Sequence, residues 1–416
     1  MEVFKYELFK MFSRKGPIIA LISLIVFING FTFFMIGNNK NISYEELKSY
    51  EGDVVNYREN IDKIFNNLEI AKESNNDKNQ YLYNYLAGVY SLQGKSILIA
   101  ISDFAKIEEN PFKDIEGRYR GGNTFDFRAY EVESLKEKLE MTKKKGQEQT
   151  YEYKNENKAY NMYNKVLDRK VYFVEGWNLV NNQSQLFEEA FIIVVIILLG
   201  VSPMFSAEYK QKIAPIILAT KNGRKVWVIS KFLVASIYSI FVVIVTKISS
   251  LIIAAIIYGL RNGNAPIQCL DDYSISPYKF SIIEFWLINL IICILGAIIL
   301  SVLILLVSNK VKSSMITFIV LGSLAFVPIF IKEFFGIRAS WGKAIVNLSI
   351  NKFILPNNIF EYYYSANILG RPVIYPMFMI IYGVVLLIVL VFLLIRSIEN
   401  KSCFIGRGKK YGTITQ

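Results

Sequence analysis

The strongest constraint on this chain is the length of its apolar runs. Residues 186–205 contain the unbroken stretch Phe191-Ile-Ile-Val-Val-Ile-Ile-Leu-Leu-Gly200. A bilayer core about 30 Å thick needs roughly 20 mostly apolar residues per helix. A soluble core needs no run of that length. Further blocks occupy residues 17–37, 228–258, 282–307, 315–331 and 373–395. Apolar residues make up 53% of the chain, a modest excess over the ~45–50% of an average soluble domain; their clustering decides the class. The expected fold is an all-α integral membrane protein. It has six transmembrane helices and a large helical extracytoplasmic domain between the first and second. The block at 228–258 exceeds what one crossing needs, so that span is tilted or broken.

Positive charge sets the expected orientation, because short cytoplasmic segments collect Lys and Arg. Lys5, Lys10, Arg14 and Lys15 precede the first span. Lys210, Lys212, Lys221, Arg224, Lys225 and Lys231 lie between the second and third. Lys310 and Lys312 lie between the fourth and fifth, and Arg396, Lys401, Arg407, Lys409 and Lys410 follow the sixth. These groups alternate, as an even number of spans with both termini cytoplasmic requires. Phe4, Leu8, Met11 and Phe12 recur at helical spacing, so residues 1–16 are expected to form an amphipathic helix on the membrane surface. The first apolar run is too long for a cleaved leader, and no small-x-small site follows it.

Residues 38–185 behave differently, with about 22 basic and 24 acidic residues. The chain as a whole carries +12, so the basic excess belongs to the cytoplasmic face, where anionic lipid accounts for it without nucleic acid. Ile61, Ile64, Phe65 and Leu68 fall at helical intervals, and Tyr81, Leu82, Tyr85, Leu86 and Val89 continue the habit. From Ala129 to Lys170 the apolar side is Leu135, Leu139, Tyr160, Tyr163 and Leu167. Arg120-Gly-Gly-Asn123 separates the halves. A helical hairpin or small bundle standing on the first two spans is expected. Gly88 to Ser96 imitates a phosphate-binding loop, but five residues separate its glycines where that motif needs four. No ATPase is recognisable in this chain.

The chain contains no His, which excludes the Ser-His-Asp triad and HExxH zinc chemistry. Cys269, Cys293 and Cys403 are far apart and expected outside, within and inside the membrane, so neither a disulfide framework nor a metal site is expected. Heavy use of Ile, Lys, Asn, Tyr and Phe matches an AT-rich genome, so a bacterial cytoplasmic (inner) membrane is the expected location.

The link between the second and third spans, residues 206–231, is the most informative segment. It carries Glu208, then Ile217-Leu218-Ala219-Thr220, then Gly223-Arg224, then Lys231. This order and spacing resembles the ABC type-2 permease family, the membrane subunits of ABCG-like exporters. Ile213-Ala214 stand where the family often has Gly-Thr. The resemblance covers the membrane half of the chain; the domain at 38–185 is an insertion that only some members carry. It implies that the link is a coupling helix docking into a groove on a separate cytoplasmic ABC ATPase dimer. ATP and Mg would be bound by that partner, with no cofactor in this chain, and a second permease copy or paralogue would complete the pair. On this reading Glu208 orients the helix by pairing with Lys212 or with the partner. Gly223 ends the helix, and Arg224 and Lys231 anchor its exit near lipid phosphates.

Within the spans, Lys247 is expected either to face protein or water, because a Lys at the bilayer centre costs about 2.5–3.5 kcal/mol on insertion scales, or, if the third span is shifted, to snorkel to the outer headgroups. Lys247, Asn29 and Asn289 are the candidate substrate path, and the two Asn are expected to hydrogen-bond between helices. Glu284 is expected at the interface, Pro203 is expected to kink the second span, and residues 332–372 to form an outer loop with a short interfacial or re-entrant helix. The functional expectation is a non-enzymatic permease subunit exporting a peptide, antibiotic or lipid-like substrate. The alternative is a membrane sensor with an extracytoplasmic ligand-binding domain, which leaves four further spans unexplained. A membrane enzyme finds no paired intramembrane carboxylates or metal cluster to act with.

Overall fold

The computed structural model describes residues 2–37, 52–53, 122–166, 170–172, 174–185, 187–219, 223–273, 275–330 and 349–399. Helices dominate: α1 (Glu2–Phe12), α2 (Lys15–Gly37), α3 (Gly122–Lys144), α4 (Tyr151–Asn164), α5 (Glu175–Gln185), α6 (Phe187–Val201), α7 (Pro203–Lys210), α8 (Ala214–Ala219), α9 (Gly223–Ile257), α10 (Ile282–Val311), α11 (Ser314–Phe330), α12 (Asn351–Ile354) and α13 (Tyr375–Glu399). Two small antiparallel pairs complete them. Gly52–Asp53 (β1) pairs with Lys170–Val171 (β2), and Ser365–Ile368 (β3) pairs with Arg371–Ile374 (β4).

Among the described residues, five helical segments are long and apolar enough to cross a membrane: Lys15–Phe34, Glu189–Lys210, Gly223–Ile257, Ile282–Val311 and Tyr375–Ile398. These define a multi-pass membrane protein. The expected fifth span is α11, an apolar helix of 17 residues with Pro328 near its end. At 1.5 Å per residue it measures about 25 Å, short of the ~30 Å core, and residues 331–348 lie outside the described part. α9 is 35 residues long, roughly 52 Å at the same rise, so it runs well past a bilayer core. Its two faces differ sharply. Trp227, Lys231, Val234, Tyr238, Val242 and Thr246 are buried at three- and four-residue steps, while Val226, Ile229, Leu233, Ile237, Phe241 and Ile244 are exposed. That is the pattern of a helix with one face to protein and one to lipid.

α10 is the central helix, packing on α9, α13, α6 and α12. It starts in a capping box: Ser281 Oγ accepts from the Glu284 backbone N–H at 3.3 Å, and the Glu284 carboxylate accepts from the Ser281 N–H at 2.8 Å. Glu284 is thus an exposed cap residue at the helix end. α12 inserts Phe353 between α10 and α13. A Cβ on Gly296 would collide with the Phe353 Cβ, and one on Gly383 would lie 2.6 Å from its ring. Gly296 is 14 residues into α10, about 21 Å along the axis, so α12 packs deep along that helix rather than at its end.

The second span breaks at Ser202–Pro203, as Pro with no N–H requires. Ser202 O, at the break, accepts from Ser206 Oγ at 3.1 Å and from Ser308 Oγ of α10 at 2.7 Å. Gly200 is forced by close approach: a Cβ there would overlap the Tyr238 ring.

Two expectations are corrected. The Phe4, Leu8, Met11 and Phe12 stripe of α1 packs against the protein core, with the Phe12 ring 5.4 Å from that of Phe241; Val3, Tyr6 and Phe9 are its exposed side. The stripe is held against the core because the charges on the same face find buried partners there, Glu7 in Lys231 of α9 and Lys10 in Glu208 of α7. Among the described residues, the α3–α4 hairpin rests on the chain before α13 rather than on the first two spans. Tyr363 OH donates to Asn155 Oδ1 at 2.9 Å, Lys158 Nζ donates to Pro372 O at 2.8 Å, and the Tyr363 backbone N–H donates to the Tyr163 hydroxyl oxygen at 3.3 Å. Burial pushes the Tyr363 phenol up to about 12. Cys269 is a buried, free thiol in the turn Ile267–Cys269, as a small apolar filler. Cys403, Leu167 and the segments at 61–68, 81–89 and 88–96 lie outside the described residues.

Candidate functional site

Residues of the link at 206–231 converge on a buried charge cluster. Glu208 is on α7, Lys231 two turns into α9, and Glu7 and Lys10 are on α1. Lys231 Nζ donates to Glu208 Oε1 at 2.8 Å, to Met204 O at 2.8 Å and to Glu7 Oε2 at 3.1 Å. An ammonium has three protons, so these acceptors satisfy it at 0% exposure. Glu208 Oε1 also accepts from Lys10 Nζ at 2.7 Å, and Oε2 accepts from Trp227 Nε1 at 2.7 Å. The rings of Phe205 and Trp227 lie 5.4 and 5.5 Å from the Lys231 ammonium, within cation–π range. Two carboxylates face two ammonium groups, so the formal charge cancels. Burial raises the Glu7 carboxyl above its usual 4.5, opposed by the neighbouring Lys231.

The placement of four of these residues differs from the expected roles. Glu208 pairs with Lys10, Lys231 and Trp227 rather than with Lys212, which sits exposed in a left-handed turn at φ 60°. Lys231 is sealed inside the protein rather than anchored at lipid phosphates, because two carboxylates outbid water for it. Gly223 opens α9 instead of ending a helix. Arg224 Nε donates to Leu218 O at 2.5 Å and so caps the last turn of α8, where carbonyls lack helical partners. Thr220 lies outside the described residues. α8 itself carries Pro215 in its first turn, where a missing N–H costs nothing. It projects Ile216 at 70% exposure, with Ile213 just before it also exposed.

A second buried pair joins the same two spans further along. Lys247 Nζ of α9 donates to Glu189 Oε2 of α6, and Ser250 Oγ donates to Glu189 Oε1 at 2.5 Å. Both charged side chains are 4% exposed. Lys247 therefore faces protein, as the cost of an unpaired membrane charge demands. Lys231 and Lys247 are 16 residues apart, about 24 Å along α9, so the two pairs stand near opposite limits of a ~30 Å core.

The remaining path residues gather around this second pair. Asn29 lines a cavity of about 10 Å³ with Glu189, Thr246, Ser249 and Ser250. Asn289 lines another of about 20 Å³ with Lys247. Asn289 does not hydrogen-bond across helices as expected: its Nδ2 donates to Phe285 O of its own helix at 3.0 Å. An amide one turn from a free carbonyl finds that partner first.

Sequence reasoning missed Glu189, Glu7, Lys10 and Trp227. Counting could have found Glu189. It lies 19 residues before Glu208, much as Lys247 lies 16 after Lys231, so two antiparallel helices joined at one pair bring the others to a similar depth. No family model, curated protein or solved structure matches the chain.

Proposed function

We propose that this chain is the permease subunit of an ATP-driven exporter in a bacterial cytoplasmic membrane, with six crossings, cytoplasmic termini and a separate ATPase. The observation that carries this reading is the exposed apolar side of α8, set between two spans bound to each other by buried charges. An apolar residue at the apex of a link suits a groove on a partner. A push on α8 reaches α7 and α9 together, because Glu208–Lys231 and Glu189–Lys247 hold the spans in one register. The domain at 38–185 suits a bulky cargo, such as an amphipathic peptide or antibiotic, received or released at the outer face.

Purification of tagged protein in mild detergent from its native membrane, followed by mass spectrometry and an ATPase assay, tests the reading. A stoichiometric ABC ATPase is expected, and Ile216→Glu is expected to release it without altering the permease's own elution. Glu208 and Arg224 are unsuited to this test, since each holds the fold. A preparation lacking any ATPase, under conditions that keep other such complexes intact, overturns the reading.

A further inference from the structure

Two polar atoms one turn apart on α10 are buried without a hydrogen-bond partner among the described residues: Trp286 Nε1, a donor, and Asn289 Oδ1, an acceptor. Such atoms are rare in folded proteins and mark a place for water or a ligand. Both residues line the cavity of about 20 Å³, with Lys247, Asn181 and Asn357. A water needs at least about 10–15 Å³ and two to four polar partners. This space holds one, at most two, and offers both a donor and an acceptor. It is too small for any organic ligand.

The cavity is joined to the surface by side chains. Asn357 Nδ2 donates to Asn181 Oδ1 at 3.2 Å, and Asn181 Nδ2 donates to Asp272 Oδ2 at 3.1 Å. Asp272 is exposed. Toward the interior, Lys247 leads to Glu189. The polar series therefore runs from the surface at the Ile257 and Ile282 helix ends to a buried ion pair.

We propose that ordered water fills this cavity and gives the Glu189–Lys247 pair aqueous access, and hence a proton route, from the Asp272 face. The groups facing the pair are few. α10 contributes the Cys293 thiol, which feels both charges; α5 and α2 contribute only the neutral amides of Asn181 and Asn29. Asp272, with Asp271 beside it, stands at the mouth. The proposal is independent of any ATPase.

Hydrogen exchange at the indoles tests it. The chain has four Trp, so ¹⁵N-Trp protein in nanodiscs gives few indole signals, assignable by single Trp→Phe replacement. Trp227 Nε1 donates to Glu208 at 2.7 Å in the other charge cluster, so it serves as the dry internal reference; Trp177 lines the same cavity as Trp286 and does not. On transfer to deuterated buffer, Trp286 is expected to exchange at least about tenfold faster than Trp227. Asn289→Leu, which fills the cavity, is expected to remove that difference, while Ile291→Leu on the lipid side of α10 leaves it. If Asn289→Leu does not assemble, Asn181→Leu at the entrance serves the same purpose. Slow exchange of Trp286 in the wild type overturns the proposal, and so does fast exchange that survives the filling substitution.

Discussion

Lys231→Met removes one charge from the inner cluster while keeping the length of the stem. The change strands both carboxylates. Glu208 retains Lys10 and Trp227, each at 2.7 Å, whereas Glu7 keeps Lys10 at 4.0 Å and the nearby Arg14 charge, and Met204 O loses its donor. Removing one partner of a buried pair costs about 3–5 kcal/mol. Lys10 can compensate in part, so a loss of about 3 kcal/mol is expected. Neutralising the whole group in the triple variant Glu7→Gln, Glu208→Gln, Lys231→Met should recover most of it, leaving a deficit of roughly 1 kcal/mol, since buried pairs replaced as a unit are often near neutral. The assay is unfolding in detergent micelles followed by Trp fluorescence, with Trp227 in contact with the cluster. A loss under about 1 kcal/mol, the worth of an exposed pair, would refute the reasoning. So would strict additivity of Lys231→Met and Glu208→Gln, because groups in one network must couple.

Three further outcomes are expected. The Glu7 carboxyl is raised above 4.5, so its contribution to stability is full below that pH and is lost as pH rises through the folded value; the stability of wild type relative to Glu7→Gln should therefore increase on acidification, read from parallel melts. The Tyr363 phenol, pushed from 10.0 up to about 12, should contribute fully below pH about 10 and lose its contribution between about 10 and 12; Tyr363→Phe, which also removes the bond to Asn155, should flatten that alkaline limb. Gly296→Ala should destabilise by about 1–3 kcal/mol through overpacking, and Phe353→Leu should not rescue it, because the colliding atom is the Phe353 Cβ.

The spans were legible because a bilayer imposes length, and length is visible in one dimension. The break at Pro203 and the short helix before the last span were legible for a similar local reason: a missing N–H at one, an apolar turn inside a loop at the other. Partner choice was not. Glu208 and Lys212 have helical spacing, but the chain leaves the helix before Lys212, and the ammonium groups that reach Glu208 come from residues 198 and 23 positions away. The stripe on α1 announced an amphipathic helix without saying which surface receives it, since protein and lipid present equally apolar faces. Lys247 did announce a need for a partner. Glu189 went unnoticed because it sits at the edge of an apolar block, where a carboxylate reads as a boundary.

Phe353, held between Gly296 and Gly383, has a consequence for biogenesis. Synthesis delivers those three residues in the order glycine, phenylalanine, glycine, on two different spans and the plug between them. When α12 first emerges only the wall on α10 exists; the other arrives with α13. A chain halted before Tyr375 therefore carries a bulky aromatic in a half-built slot, and closing that slot is a late assembly step.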